Sequence, residues 1–161
     1  MTTLNPIANR IARIEAGNDP QFLARMPSGY AILANQQPPE VRGGCMLLPT
    51  PDPHGGPAGG PSHLGDLSPK AQAQFLADFA LLGEAVRIAT GAQRLNYLIL
   101  CNQVPWLHAH VVPRFANEDP KLRLKDPFEA YDFGSAPKAN AAGPEAEIHR
   151  SIAQELAALL G

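Results

Sequence analysis

The sequence predicts an α+β fold, in which an antiparallel β-sheet is covered by one long helix and further helices lie towards both ends of the chain. Two stretches carry this prediction. Between residues 69 and 90, large apolar side chains recur every three or four positions, as they do on one face of a helix. Between residues 95 and 112, two apolar runs flank a turn-like segment, which is typical of a β-hairpin.

Size and charge narrow the class of protein. The chain has 161 residues, which is the size of one domain, so we expect a single domain over residues 1–161. The net charge of -2 gives no electrostatic reason for binding nucleic acid or an anionic membrane. Cys45 and Cys101 form no CxxC motif and are expected to be free thiols. No apolar run approaches the roughly 20 residues of a membrane span, so we expect a cytoplasmic protein.

The first third of the chain predicts one helix and three strands. Residues 5–17 suit a helix, because Asn5 can cap it, Pro6 fits its first position and Gly17 can end it. Strands are predicted at 22–26 and 30–34, around a Pro-Ser-Gly turn. The third strand, residues 44–48, is apolar throughout and is expected inside the sheet, with both of its faces covered.

The middle of the chain contains a loop and the long helix. Residues 49–61 include five Pro and four Gly in thirteen positions, which excludes regular structure and predicts a long loop, either a plain exposed loop or a flap beside a site. Ser68 and Pro69 then begin a helix that runs to about Thr90 and stops at Gly91. Its apolar stripe is expected to pack across the sheet; the stripe consists of Phe75, Phe79, Leu82, Val86 and Ala89.

The last third of the chain is predicted to leave the sheet. We expect a core of about 22–115, followed by a loop-rich extension over 116–143 that is charged and broken by prolines. A final helix is predicted over 144–160, with Pro144 at its start and Glu145 and Glu147 in its first turn, where acidic side chains favour the helix dipole.

The chemically unusual feature is a pair of histidines in the predicted hairpin. Its arms are expected at 95–101 and 106–112, joined by a turn at 102–105. Strand side chains alternate between faces, so Trp106, His108 and His110 should share one face with Val112. The intervening residues are small and apolar and suit the core. The hairpin therefore predicts two imidazoles side by side on one face of the sheet.

Three roles fit two imidazoles at this spacing, and the spacing does not choose among them. A neutral imidazole can attack phosphorus while its neighbour holds a phosphate oxygen or manages a proton. Two histidines can also bind zinc, which needs a third ligand, and they can simply complete a sheet face. His54, His63 and His149 lack the spacing of a zinc motif relative to the pair, so no metal and no other cofactor is predicted.

The stretch Trp-Leu-His-Ala-His-Val-Val-Pro-Arg, residues 106–114, resembles the signature of the histidine triad (HIT) superfamily, in which three histidines alternate with apolar residues and Pro-Arg often follows. The order of the surrounding features is similar as well, with a Leu-Leu-Pro strand end, a loop, and a long helix opened by Leu-Ser-Pro. The resemblance covers roughly residues 22–115 and implies a HIT-like antiparallel sheet. One position differs, since Trp106 stands where the family has its first histidine.

The resemblance implies roles for the site residues. His108 aligns with the family's nucleophile, and His110 with the histidine that helps to bind the reacting phosphate. Asn102 or Gln103 could hold phosphate oxygens, and Asn35 matches a position that contacts ribose in relatives; all three could equally be ordinary turn residues. Two further side chains are candidates: Trp106 could border the nucleotide, and Arg114 could offset phosphate charge or lie outside the site.

The activity implied by the resemblance is that of a nucleotide hydrolase or nucleotidyl transferase that works as a homodimer. It would act on the α-phosphate of a nucleoside phosphoramidate or a dinucleoside polyphosphate through a nucleotidyl-histidine intermediate. The replacement of the first triad histidine favours an alternative, in which the protein binds nucleotides without useful catalysis. Both expectations place a nucleotide against the strand that carries His108 and His110.

Overall fold

The computed structural model describes residues 5–50 and 60–161 and contains one antiparallel sheet with the strand order β1-β2-β3-β5-β4. The α+β architecture predicted from the sequence is confirmed. Within the described residues the strands are β1 (Phe22–Met26), β2 (Gly29–Leu33), β3 (Cys45–Pro49), β4 (Arg94–Leu98) and β5 (Ala109–Arg114). The helices are α1 (Pro6–Glu15), α2 (Pro69–Thr90), α3 (Pro120–Arg123), α4 (Pro127–Ala130) and α5 (Ala146–Leu160).

Helices α2 and α5 cover one face of the sheet. The predicted ends of α2 are confirmed, because Ser68 Oγ accepts a hydrogen bond from the Ala71 amide at 3.2 Å and Gly91 adopts a left-handed φ of 69°. The apolar stripe of α2 packs on the inward side chains of β2, β3 and β5, and α5 adds two buried residues. This main core includes Phe75, Phe79, Leu82, Val86, Leu107, Ala109, Val111, Ile152 and Leu156.

The opposite face carries two separate apolar clusters. We call the first the α1 cluster; it consists of Ile7, Ile11, Ile14, Tyr30, Ile32, Leu48 and Trp106. The second, the extension cluster, consists of Val41, Val112 and Tyr131, with Leu98 and Phe133 packed against it. His110 lies between the two, since its cross-strand neighbours are Met46, which packs on the α1 cluster, and Leu98. The predicted alternation is confirmed, because Leu107, Ala109 and Val111 face the main core while Trp106 and Val112 lie on the opposite face.

The hairpin itself is shorter than predicted. Strands β4 and β5 pair antiparallel as expected, but ten residues, 99–108, connect them rather than four. Cys101 adopts a positive φ of 55°, which interrupts the first predicted arm. The Leu107 amide donates to Pro61 O at 2.8 Å instead of pairing with β4. His108 therefore precedes β5, and His110 lies within it.

The segment predicted as a loop-rich extension over 116–143 is also partly helical. It contains α3 and α4, and it is fixed to the sheet by a buried network around Arg114. Further along, Lys138 forms a bridge with Gln36, and the Ala139 amide donates to Asn35 O at 2.7 Å. The extension consequently returns across the face of the sheet that bears the histidines.

The structure tests two further sequence-based predictions only in part. Most of the predicted Pro/Gly loop, residues 51–59, lies outside the described residues, while Pro49 belongs to β3 and Gly60 and Pro61 are buried. None of the described helices combines the length and the apolar character needed to cross a membrane.

Candidate active site

His108 and His110 lie side by side as the sequence predicts. Their ring centroids are 5.1 Å apart and their planes cross at 74°, an edge-to-face arrangement. His108 is 9% exposed, and His110 is half-buried. His110 is held by β5, whereas His108 is held by the connection that enters the strand. The two imidazoles are thus fixed at the boundary between the α1 cluster and the extension cluster.

The hydrogen bond of His108 determines which of its nitrogens is free. Nδ1 lies 2.6 Å from the carbonyl oxygen of Trp106. A carbonyl oxygen can only accept, so Nδ1 must carry the proton and donate it. In the neutral ring, Nε2 then keeps its lone pair and is the nucleophilic nitrogen. The bond uses the main chain of Trp106, so a histidine at position 106 is not needed to set this tautomer.

His110 is held in its neutral form. Burial lowers its pKa from 6.5 to about 4, and the neighbouring His108 lowers it as well. The ring of Phe128 lies against it, with centroids 5.6 Å apart and planes crossing at 84°. A neutral imidazole has one N–H to donate and one nitrogen to accept. His110 can therefore donate to a phosphate oxygen without carrying a formal charge.

We expect this environment to make the protein less stable as the pH falls from about 6.5 to about 4. In that window the unfolded chain protonates this histidine and the native state does not, so the unfolded state binds more protons and the free energy of unfolding decreases. The measurement is an NMR titration of His110 together with urea unfolding over the same pH range. His110→Asn should remove this part of the pH dependence, and a His110 pKa near 6.5 would contradict the description of its environment.

Asn35, the predicted ribose contact, lies two residues after the end of β2 and is exposed. Its side-chain oxygen accepts a hydrogen bond from Arg10 of α1. Arg10 is 7% exposed and also pairs with Asp19. The network fixes the amide orientation, so the Asn35 NH₂ group remains available as a donor towards solvent or a ligand.

Asn102 and Gln103, the predicted phosphate-binding residues, lie in the connection before His108. Both are exposed, and neither side chain makes a hydrogen bond to another residue of the described parts of the chain. Cys101, which begins the same segment, places its thiol 3.5 Å from the carbonyl oxygen of His108. This contact joins the start of the connection to its end, and it keeps the two amide side chains on the loop that bends back to His108.

Trp106 has a packing role. The indole is 5% exposed and lies in the α1 cluster, with the main chain of Gly60 directly against it. A Cβ atom at Gly60 would approach the ring to 2.4 Å. Within the described residues the indole N–H has no hydrogen-bond partner. The side chain is therefore not an exposed surface on which a nucleotide could stack, and we leave it out of the ligand-binding set proposed below.

Arg114 has a structural environment as well. Its side chain lies on the same face as His110, but the guanidinium donates to Glu118, to Asn96 and to the main-chain carbonyls of Leu122 and Lys125. Tyr131 donates to the same Glu118 carboxylate. The alternative that Arg114 lies outside the site thus matches its contacts, and we do not retain it as a phosphate ligand.

Sequence reasoning missed two residues of this region. Arg10 was recoverable, because it falls on the isoleucine face of α1, where a charged side chain needs a buried partner. Phe128 was harder to find, since it follows Asp126-Pro127 in a segment that reads as a turn. Its contact with His110 depends on how the extension folds back, which local sequence does not encode.

The described residues contain no group of three or more His, Cys, Asp or Glu side chains arranged to hold a metal ion. Nδ1 of His108 is bonded to the Trp106 carbonyl, and the ring of His110 packs against His108 and Phe128. This donor set offers two nitrogens and no carboxylate or thiolate beside them. A zinc centre at the pair would require further ligands.

Comparison with solved structures identifies the class of fold. The chain has the fold of the histidine triad proteins, with the five-stranded antiparallel sheet, the long helix and the C-terminal helix. No protein-family model matches the sequence, and no curated protein sequence matches it. The similarity is therefore structural, and the sequence identity is low.

Three solved structures illustrate the likeness. A histidine triad protein from Sinorhizobium meliloti 1021 is 23% identical, with a TM-score of 0.63 over 91% of this chain and 93% of that one. One from Marinobacter aquaeolei VT8 is 18% identical, with a TM-score of 0.66 over 98% and 99% of the two chains. A hypothetical histidine triad nucleotide-binding protein from Sulfolobus tokodaii strain7 is 14% identical, with a TM-score of 0.65 over 94% and 93%.

Proposed function

We propose that this protein is a nucleotide hydrolase or nucleotidyl transferase of the histidine triad type, in which His108 attacks the α-phosphorus of a bound nucleotide. The observation that carries the proposal is the hydrogen bond from His108 Nδ1 to the Trp106 carbonyl at 2.6 Å, which leaves Nε2 free to attack. The likeness to histidine triad structures, one of them described as nucleotide-binding, supports the same ligand class.

The reaction proceeds in two steps. His108 Nε2 donates its lone pair to the α-phosphorus, the bond to the leaving group breaks, and a nucleotidyl-His108 intermediate forms. Water then attacks the same phosphorus, the P–N bond to His108 breaks, and the nucleoside monophosphate is released. His110, Asn102 and Gln103 donate hydrogen bonds to the phosphoryl oxygens as charge develops on them. The Asn35 amide contacts the ribose.

The first test is turnover and binding with defined nucleotides. Purified protein should hydrolyse an adenosine phosphoramidate to AMP. It should also be stabilised by AMP in a thermal-shift assay, by about 2.7 kcal/mol at roughly 100 times the dissociation constant. Absence of both turnover and stabilisation across a panel of nucleoside phosphoramidates and dinucleoside polyphosphates would refute the proposal.

A second candidate function is nucleotide binding without useful catalysis. The observation that favours it is the buried Trp106 side chain at the first triad position, which cannot accept a proton. Under the main proposal, Trp106→His lowers stability, because a smaller and polar ring replaces the indole in an apolar cluster, and it does not raise turnover. Turnover and urea unfolding of wild type, Trp106→His and Trp106→Phe decide between the two. An inactive wild type with an active Trp106→His variant would establish the binder.

We expect the protein to act as a homodimer that pairs through the free edge of β4. This strand ends the sheet, so its outer main-chain groups have no partner strand in the described residues. A groove of about 760 Å³ runs between β4 and residues 123–127. Leu124 at its rim is 88% exposed, and Tyr97 is 46% exposed. Light scattering should give a dimer for wild type and a shift towards monomer for Leu124→Asp; a monomeric wild type at micromolar concentration would contradict it.

A further inference from the structure

Phe128 presents an aromatic surface directly beside the histidine pair. Its ring packs edge-to-face on His110, with 5.6 Å between centroids, and it is 38% exposed, so part of the ring remains open. Phe133 lies behind it at 4.7 Å, with the planes at 52°. We call these two side chains the aromatic wall. Its position is fixed by the extension rather than by the sheet.

The aromatic wall lies on the β4 side of the histidines. Phe133 packs against the extension cluster, which includes Leu98 of β4 and Val112 of β5. Asn35 follows β2, which lies on the opposite side of β5 in the strand order β1-β2-β3-β5-β4. A nucleotide whose ribose contacts Asn35 and whose α-phosphate meets His108 consequently extends its leaving group towards the wall. This orientation rests on the proposed function.

Two of the cations near the wall are already paired with carboxylates. Lys125 bonds to Glu129 at 2.9 Å, and Arg114 bonds to Glu118 at 2.9 Å. Arg94 lies on the same face of the sheet and is the cross-strand neighbour of Arg114. It precedes Leu98, the cross-strand neighbour of His110, by four residues or roughly 13 Å along β4. Residues 51–59 contain no Lys or Arg. A chain of further phosphates leaving in this direction would first meet the apolar rings of the wall and a neutral His110.

We infer that Phe128 is a specificity-determining residue, which favours substrates whose leaving group is an amine that bears an aromatic ring and disfavours leaving groups made of phosphates alone. In the favoured reaction the P–N bond of the phosphoramidate breaks, and its electron pair leaves with the amine nitrogen, which takes a proton from water. The amine ring packs against Phe128, an edge-to-face or stacked contact that aromatic groups favour. A polyphosphate leaving group gains no such contact and loses hydration.

The test compares two substrates that share the adenylyl group, namely the phenethylamine phosphoramidate of AMP and ATP, whose leaving group is pyrophosphate and carries no ring. Wild type should prefer the phosphoramidate in kcat/KM. Phe128→Ala should lower this preference by about tenfold, the scale of one aromatic contact. Phe128→Lys should lower it further, because a cation is added beside the leaving phosphates. Leu159→Ala removes an apolar side chain of equal exposure, 38%, from the end of α5 and should leave the preference unchanged.

A binding measurement separates this inference from the proposed activity. In the His108→Asn variant, which cannot form the intermediate, the dissociation constants of the same two nucleotides give the preference without turnover. If wild type hydrolyses neither substrate, the proposed activity fails, while this ratio with and without Phe128→Ala still decides the role of Phe128. A preference that is unchanged by Phe128→Ala and Phe128→Lys, in turnover or in binding, overturns the inference.

Discussion

Replacing His108 with Ala should lower the rate of nucleotide turnover by at least about a thousandfold, because the attacking nitrogen is lost and water must react directly with the α-phosphorus. Affinity for AMP should change far less, since under the proposed function His110 and the amide side chains of the 99–108 connection would still contact the phosphate. The loss therefore falls on kcat, which is the pattern expected when a group acts mainly in the transition state. Initial rates with an adenosine phosphoramidate, together with AMP titration calorimetry, measure both quantities.

The matched control is His63→Ala. The His63 side chain is 69% exposed and pairs with Asp66 at the surface, so its removal should leave the kinetic constants unchanged. Turnover by His108→Ala at the wild-type rate would exclude His108 as the nucleophile.

A second informative variant is His110→Asn. It keeps a hydrogen-bond donor in place of a neutral imidazole and should retain more activity than His110→Ala.

Replacing Arg114 with Met should destabilise the protein by about 3–5 kcal/mol, which is the typical result of removing one partner from a buried ion pair. Arg114 is 4% exposed and Glu118 is 7% exposed, and the guanidinium also donates to Asn96 at 2.9 Å. The substitution leaves a buried carboxylate with only Tyr131 and the Phe115 amide as donors. Urea unfolding of wild type and variant measures the loss.

Arg123→Met is the control for this prediction, because the Arg123 side chain is exposed and donates to a single carbonyl at 3.0 Å. Its cost should stay within about 1 kcal/mol. If Arg114→Met and Arg123→Met cost the same, the buried network does not hold the extension to the sheet. Hydrogen exchange of residues 116–133 should increase in Arg114→Met before it increases in β2 or β3.

The same network gives a pH dependence of known sign. Burial raises the pKa of Glu118, but the hydrogen bonds from Arg114, Tyr131 and the Phe115 amide outweigh it, and the net pKa lies below the ordinary value of 4.5. The ionised Glu118 therefore stabilises the folded protein fully above a pH of about 4.5, and this contribution is lost as the pH falls through the lower pKa that Glu118 has in the folded state. The stability difference between wild type and Glu118→Gln should shrink in that acidic range.

Local sequence was sufficient for the elements whose signals are short-range. The cap at Ser68, the stop at Gly91 and the stripe of α2 all depend on residues within a few turns of one another, and they match the structure. Alternation along the hairpin placed His110 and Val112 on one face correctly. The length of the connection was mispredicted, because Cys101 takes a left-handed conformation and Leu107 pairs with Pro61, forty-six positions earlier in the chain.

The remaining features of the site depend on contacts between distant segments. Strand alternation predicts that Trp106 faces a ligand, whereas in the structure three isoleucines of α1 pack in the same cluster as its side chain. Arg114 has the strand parity of the histidines, yet Glu118, Leu122 and Lys125 supply the groups that bind its guanidinium. Phe128 reaches His110 only because this network folds the extension back over the sheet. Such pairings follow from tertiary packing, which pattern and spacing do not specify.

The most direct measurement of the central claim is intact-protein mass spectrometry after brief, acid-quenched or cold incubation with an adenosine phosphoramidate. Wild-type protein should gain the mass of one adenylyl group, and peptide mapping should place it on His108. His108→Ala should show no such gain, while His63→Ala should behave as wild type. Turnover of the phosphoramidate with no adenylylated protein at any time point, or an adduct that persists in His108→Ala, would contradict the account.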